Sequence, residues 1–152
     1  MKKFRFRLET PLQWRQMQED LQKEKISKCQ ERVRRIDETI NRYQEEQAAC
    51  YGKMRDLHNG VLNLDSLRNH GDYLQVIQSK LLEEMDKRAV AQEALAQAQR
   101  EMMEILQAKK VLERLKAKHF NKYLKAVNDL DQKLNDELAS VAFNRKEREH
   151  RI

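Results

Sequence analysis

The sequence predicts an all-α fold, a long antiparallel two-helix coiled-coil hairpin in a single domain, residues 1–152. Of 152 residues, one is proline and three are glycine, so both long stretches lack helix breakers. Charged residues make up 37%, against about 25% in ordinary globular domains, which suits a thin interface. Apolar residues recur at steps of three and four, as in coiled coils. The expected elements are a first helix over about 11–58, a bend over about 59–71, and a second helix over about 72–146 with frayed ends.

Glycines define the predicted bend. Gly60 and Gly71 bracket it, and Asn59-Gly60 is a turn dipeptide. Asp65 and Ser66 are suitable N-caps for a restarting helix. One continuous rod, broken only locally, is the alternative to a hairpin.

The first helix is predicted to start after an irregular segment. Phe4 to Leu8 alternate apolar and basic residues, but no second strand could pair with them, so an irregular or frayed helical start is expected. Thr10 suits the N-cap and Pro11 the first helical position, where its missing N–H has no intrahelical partner to lose.

The predicted seam, the apolar stripe facing the other helix, begins on the first helix with Trp14, Met17 and Leu21. It slips by one residue and then follows alternating steps of three and four for about four and a half heptads. These later positions are Ile26, Cys29, Val33, Ile36, Ile40, Tyr43, Gln47, Cys50, Met54 and Leu57.

The second helix carries a matching seam, with a slip between Leu112 and Phe120. Folding the chain at the bend brings the two slips to about the same level, which favours an antiparallel pairing in register. The predicted positions are Leu74, Ile77, Leu81, Met85, Arg88, Ala91, Leu95, Ala98, Met102, Ile105, Leu112, Phe120, Tyr123, Val127, Leu130, Leu134, Leu138 and Val141.

Charge is unevenly distributed along the chain. Residues 1–36 hold 11 basic and 5 acidic residues (+6), residues 37–101 hold 8 and 12 (−4), and residues 102–152 hold 12 and 8 (+4). A hairpin joins the first and last segments into an open end of +10, opposite a bend end of −4. We expect these two ends to meet different partners.

Several function classes are disfavoured. No catalytic group has a suitable neighbour, no phosphate-binding glycine loop exists, and the spacing of Cys50, His58 and His70 fits no zinc pattern. We therefore expect no enzyme, cofactor or metal. Cys29 and Cys50 lie about 31 Å apart on one helix and cannot pair within a monomer, which suits the reducing cytosol. No apolar run reaches about 18 residues, so no membrane span is expected, and no secretory signal is recognised.

Two surfaces remain as candidates. The run from Lys109 to Lys125 holds seven basic residues and one acidic residue, typical of a solvated face, an acidic-protein site or, with less support, a nucleic-acid site. Tyr51 and Tyr73 fall beside the seam near the bend and are either contact residues or ordinary surface tyrosines.

Both ends of the sequence resemble one family. The start FRFRLETPLQWR and the ending LDQKLNDELASVAFNRK resemble the FliJ family of flagellar type III export proteins. The similarity covers most of the chain and is specific at its ends. It is carried by Phe4, Phe6, Leu8, Leu12, Arg15, Asp131, Gln132, Lys133, Asp136, Glu137, Ala139, Arg145 and Lys146.

The resemblance implies a non-enzymatic cytoplasmic component of the flagellar export apparatus, peripheral at the inner face of the membrane. Such a stalk inserts its open end into the export ATPase ring, meets the export gate at its tip and escorts substrate chaperones, supporting flagellum assembly, motility and chemotaxis. Nucleic acid is not an expected partner. Rival interpretations are a virulence-type secretion stalk and a basic scaffolding or nucleic-acid-associated coiled coil.

On this interpretation, residues of the two ends have separate roles. The ATPase-facing candidates are Lys2, Lys3, Arg5, Arg7, Arg145, Lys146 and Arg148, and the gate-facing candidates are Tyr51, Tyr73 and Leu74.

Overall fold

A computed structural model describes residues 3–61 and 63–149, with side chains as far as residue 145. The chain forms two α-helices, α1 (Glu9–His58) and α2 (Leu64–Glu149), and the described residues include no strand. The predicted all-α fold of two paired helices is confirmed.

The start of α1 follows from local hydrogen bonds. The Glu9 N–H donates to the Phe6 carbonyl (3.3 Å) and the Leu12 N–H to the Leu8 carbonyl (3.1 Å). Pro11 lies in the first turn, where its N–H is not needed. Residues 3–6 have no regular structure, as expected, and the helix begins two residues before the predicted position 11.

The bend is shorter than predicted. α2 begins at Leu64, because the Asn63 Oδ1 accepts hydrogen bonds from the N–H groups of Asp65 and Ser66 (both 3.2 Å). Asn63 therefore caps the helix, in place of the predicted Asp65 or Ser66. Gly71 lies inside α2, and no glycine has a positive φ.

The chain divides into two compact units. The first, which we call the terminal unit, combines Met1–Met17 with Leu106–Ile152. The second, the bend unit, is Gln18–Ile105. Each unit contains part of both helices and is described by itself.

The bend unit has an antiparallel heptad seam. Contacts join later residues of α1 to earlier residues of α2: Asp37 pairs with Arg88 (2.8 Å) and Glu46 with Tyr73 (3.2 Å). Every predicted seam position from Ile26 to Leu57 is buried or half-buried. The most buried apolar residues are Ile40, Cys50, Leu74, Ile77, Ala91 and Ala98.

The predicted start of the α1 seam is wrong. Trp14, Met17 and Leu21 are 53%, 63% and 66% exposed. Buried instead are Glu19 and Gln22, which continue the heptad spacing backwards from Ile26 without a slip. The apparent slip arose because the seam positions here are polar while apolar residues occupy the outer face.

Gln22 is held in the bend unit by a small polar network. Its Nε2 donates to the Ala98 carbonyl (2.7 Å) and to the Glu101 carboxylate (3.0 Å). Lys25 Nζ also donates to Glu101 (2.6 Å). Hydrogen bonds from Lys25 and then Gln22 lower the pKa of the Glu101 carboxyl, so the network favours a charged Glu101.

Polar residues also account for the deviations in the α2 seam. Met85 is 54% exposed and Arg88 is 45% exposed at its side chain, while Glu84 is half-buried. Glu84 lies three residues after Leu81 and so continues the alternating steps of three and four. Further along, Lys116 is half-buried four residues after Leu112, so the spacing continues through the predicted second slip.

The terminal unit has a much thinner interface. Phe6 is its only buried residue among those described. Every described residue from 128 to 145 is exposed, although the pattern placed four of these residues in the seam. The spacing is helical as predicted, but no described segment of the chain lies opposite them. These residues are Leu130, Leu134, Leu138 and Val141.

Candidate functional site

The N-terminal segment packs on α2 through its aromatic residues. The Phe4 ring centroid lies 5.2 Å from that of Phe120 and 5.5 Å from that of Tyr123. Phe6 meets His119 edge-on at 5.9 Å. Each centroid distance lies within the range of favourable ring pairs. The apolar residues of this segment therefore pack on α2, the basic residues Arg5 and Arg7 between and beside them remain exposed, and no strand forms.

Lys116 contacts the residues at the start of α1. Its Nζ lies 2.9 Å and 2.8 Å from the two carboxylate oxygens of Glu9 and 6.0 Å from the centroid of the Phe6 ring. A groove of about 670 Å³ runs beside it, lined by Phe4, Arg5, Phe6, Arg7, Glu9, Thr10 and Lys116. Arg5 and Arg7 are exposed, so their charges are available to a partner.

The structure separates the predicted ATPase-facing residues. Lys3, Arg5 and Arg7 lie on the N-terminal segment, which reaches Tyr123 of α2. Arg145 is exposed 22 residues further along the helix, about 33 Å at 1.5 Å per residue. The described cations thus do not form one cluster. Lys2 lies outside the described residues, as do the side chains of Lys146 and Arg148.

The outward face of α2 carries a basic row. Of the seven basic residues in the run, Lys109 pairs with Glu113 (3.7 Å) and Lys116 with Glu9. No ion pair to a described residue is found for the other five. They recur mostly at intervals of four residues, and the last four of them line a groove of about 440 Å³. These five are Lys110, Arg114, Lys118, Lys122 and Lys125. The row makes one side of α2 strongly electropositive.

The gate-facing candidates do not share one surface. Tyr51 and Tyr73 are 47% and 48% exposed, but Leu74 is only 7% exposed, because it belongs to the seam. Tyr73 donates to Glu46, and Glu46 is five positions from Tyr51, about 140° around α1. The two tyrosines therefore lie on different sides of the bend unit.

The Tyr73 side of the bend unit is the more structured one. The hydrogen bond to Glu46, together with its negative charge, raises the pKa of the Tyr73 hydroxyl. The Cys50 thiol donates to the His70 carbonyl (3.7 Å), and His70 Nδ1 donates to the Ser66 carbonyl (2.7 Å). Cys50, His70 and Tyr73 border a groove of about 170 Å³.

No metal centre is found at the bend. Across residues 3–61 and 63–145, no group of three or more His, Cys, Asp or Glu residues could hold a metal ion. The Cys50 thiol is buried within the seam, consistent with packing.

A family model described as "Flagellar FliJ protein" matches residues 4–148. The chain belongs to the FliJ family. The match covers both the aromatic N-terminal segment and the exposed end of α2 (residues 128–145), the two regions where the resemblance is most specific. FliJ membership makes the chain a helical protein related to flagellar protein export.

Further comparisons add no relatives. No curated protein matches the chain, and no solved structure matches it. Within the described residues, neither helix contains a stretch that is long and apolar enough to cross a membrane.

Proposed function

We propose that this protein is a non-enzymatic stalk of the flagellar export apparatus, coupling the export ATPase ring to the membrane export gate. The observation that carries this proposal is the FliJ family match over residues 4–148. The geometry is compatible with it, because the terminal unit presents a bare helix end and exposed cations.

The ATPase ring is the proposed partner of the terminal unit. Exposed Arg5 and Arg7 on the N-terminal segment and Arg145 on α2 would be favoured by a ring lumen that is acidic. Because these cations are spread along about 33 Å of helix, they suit a deep channel better than a small pocket.

The export gate is the proposed partner of the bend unit. Tyr73 and Tyr51 are the exposed aromatic residues nearest the bend, and exposed tyrosines are frequent at protein contacts. Since they lie on different sides, Tyr73 and the groove beside it form the stronger candidate. Escort of substrate chaperones and a peripheral position at the cytoplasmic face, reached through partners, complete the proposal.

ATP hydrolysis by the cognate flagellar export ATPase tests the stalk role. The protein is expected to stimulate hydrolysis at physiological salt, and neutralising Arg5, Arg7, Arg145 and Lys146 together should abolish the stimulation. A matched variant neutralises four exposed cations of the bend unit: Arg32, Lys53, Arg55 and Arg68. Equal effects of both variants would show that only net charge matters, and absence of stimulation by the unaltered protein would contradict the stalk role.

The basic row on α2 favours a second candidate, a scaffold that binds polyanions. Five cations without a described ion-pair partner produce binding that weakens steeply with salt. A filter-binding titration with single-stranded RNA at two salt concentrations tests it. The stalk proposal predicts no binding at physiological salt, whereas tight binding there, lost on neutralising Lys118 and Lys122, would favour the scaffold.

A further inference from the structure

The end of α2 carries a bare apolar stripe. Val127, Leu130, Leu134, Leu138 and Val141 follow steps of three, four, four and three, and so fall within an arc of about 80° on the helix. The exposed fraction is 55% for Leu130, 57% for Leu134, 66% for Leu138 and 59% for Val141. An apolar stripe of this width is the face that a helix normally buries.

This stripe continues an interface that the chain itself forms. Phe4 covers Phe120 and Tyr123, and Val127, four residues further on, is half-buried. Beyond Val127 the same face of the helix has no described cover. The stripe is therefore an extension of the seam for which the described residues supply no opposite side.

We infer that the stripe is an interface between two copies of this chain, paired antiparallel about Leu134. A two-fold axis there places the two Leu134 side chains together. It also sets Leu130 opposite Leu138 of the second copy, and Val127 opposite Val141 of the second copy. All five layers are then apolar, which an isologous interface requires because one stripe must complement itself.

The charges beside the stripe fit the same register. Lys133 and Glu137 lie on one flank of the stripe, about 40° apart around the helix. In an antiparallel pair, equal flanks face each other, so Glu137 of each copy meets Lys133 of the other. Two ion pairs related by the axis result.

A further polar pair supports the register. On the opposite flank, Asp131 meets Asn135 of the second copy, an acceptor beside a donor amide. The contact extends over residues 127–141, about 21 Å of helix.

A second copy fits the stripe better than a membrane does. Acidic residues flank it on both sides, Asp131 and Glu137, and would be repelled by an anionic lipid surface. A foreign amphipathic helix with basic flanks is the remaining occupant, and it is an outcome of the test below. Because the interface is a single pair of helix faces, we expect a weak dimer with a dissociation constant on the order of 10–100 µM.

Sedimentation equilibrium of the full chain tests the dimer, from about 5 µM to about 1 mM, bracketing the expected constant. Leu134→Lys places two like charges on the axis and should weaken association at least about a hundredfold. Val111→Lys is the matched control, because Val111 is 63% exposed on the opposite side of α2. Circular dichroism verifies that both variants keep their helices.

A charge exchange tests the register itself. Glu137→Lys and Lys133→Glu should each weaken the dimer several-fold, whereas the double exchange should restore it. Failure of the double exchange to restore association would overturn pairing about Leu134. A chain that stays monomeric at about 1 mM would overturn the inference. So would a dimer insensitive to Leu134→Lys.

A peptide distinguishes the remaining occupant. The probe is an amphipathic helix with a leucine stripe and lysine flanks. Its binding to a monomeric chain, with loss of binding on Leu134→Lys, would replace the second copy by a foreign helix. Failure of the peptide to bind a dimeric chain supports the self-pairing.

The dimer stands independently of the stalk role, because its test contains no ATPase. One consequence does rest on the proposed function: the paired state hides the end of α2 and must dissociate before that end can enter the ATPase ring. Stimulation per molecule of the unaltered chain should then decline as its concentration rises above the dissociation constant of the dimer. A missing dimer and a missing stimulation are separate results.

Discussion

The two units contain parts of the same two helices but differ in how completely their interfaces are closed. The bend unit closes its seam with aliphatic residues from both helices, including Ile40, Leu74 and Ile77. The terminal unit buries Phe6 alone among its described residues and leaves α2 bare from residue 128 to 145. Heptad spacing alone therefore does not produce a closed interface. Closure requires a packed segment on both sides, and where one side is missing the stripe is available to a partner.

The largest expected effect is loss of the bend-unit core. Ile77 is 1% exposed, so Ile77→Ala should lower the free energy of unfolding by about 2–4 kcal/mol. Leu134→Ala, measured in dilute solution where the chain is monomeric, should change it by less than about 0.5 kcal/mol. Urea unfolding followed by circular dichroism measures both. Equal losses would show that the two seams are equally closed.

Phe6→Ala should release the N-terminal segment while leaving the bend unit intact. Phe6 is 5% exposed, and its removal leaves Phe4 to hold the segment, so we expect a local loss of about 2–3 kcal/mol. Hydrogen exchange at residues 8–12 and 116–123 should accelerate. Acceleration also at residues 36–50 would show that the terminal unit supports the whole chain.

Gln22 tests why the seam contains a polar layer. Gln22→Ala removes two hydrogen bonds and should destabilise by about 1–2 kcal/mol. Gln22→Leu should stabilise by about 1 kcal/mol, because Lys25 still pairs with Glu101 and an apolar seam is completed. Thermal unfolding compares the two variants. A destabilised Gln22→Leu variant would mean that the network is essential for stability.

Gly71→Ala should stabilise the bend unit slightly. Gly71 lies inside α2, and a methyl group added at its Cα would meet no neighbouring side chain or other helix within 4 Å. Alanine is also the better helix former by about 1 kcal/mol. The same reasoning applies to Gly52→Ala. Unfolding midpoints measure the gain, and a loss would reveal that the helix needs glycine there for a reason other than space.

The smallest effect concerns surface charge and pH. Hydrogen bonds from Arg34 and then Arg35 lower the pKa of Glu31 from 4.5 to about 2. A lowered folded pKa contributes stability above pH 4.5 that is lost as the pH falls towards 2. Glu31→Gln should therefore melt slightly lower at about pH 7 and equally at about pH 2. A difference that persisted in acid would require a cause other than this carboxylate.

The fold was predictable where seam residues are apolar. From Ile26 to Leu57 the pattern of α1 was correct at each position, because burial and hydrophobicity coincide at all of them except Gln47, which the spacing alone identified. At Glu19 and Gln22 they do not coincide, and the apolar pattern indicates the exposed residues Trp14, Met17 and Leu21 instead. Extending the heptad backwards from Ile26 by spacing alone would have given the right positions.

The candidate surfaces were predictable only in part. Exposure of Tyr51 and Tyr73 followed from their place beside the seam, but Leu74 was a seam residue by the same pattern. Separation of Arg5 from Arg145 depends on how far the N-terminal segment reaches along α2, which ring contacts with Tyr123 determine. Spacing along a sequence carries no information on that reach.

The capped turn at Asn63 also sets an order of events during folding. Contacts next to the bend, such as Cys50 with His70, close 20 residues of chain, whereas Phe4 with Tyr123 closes 119. Loop-closure entropy makes the longer closure costlier by about 1.6 kcal/mol. We therefore expect the helices to pair from the turn outwards during synthesis, and the N-terminal segment, although made first, to pack only after Tyr123 of α2 has emerged.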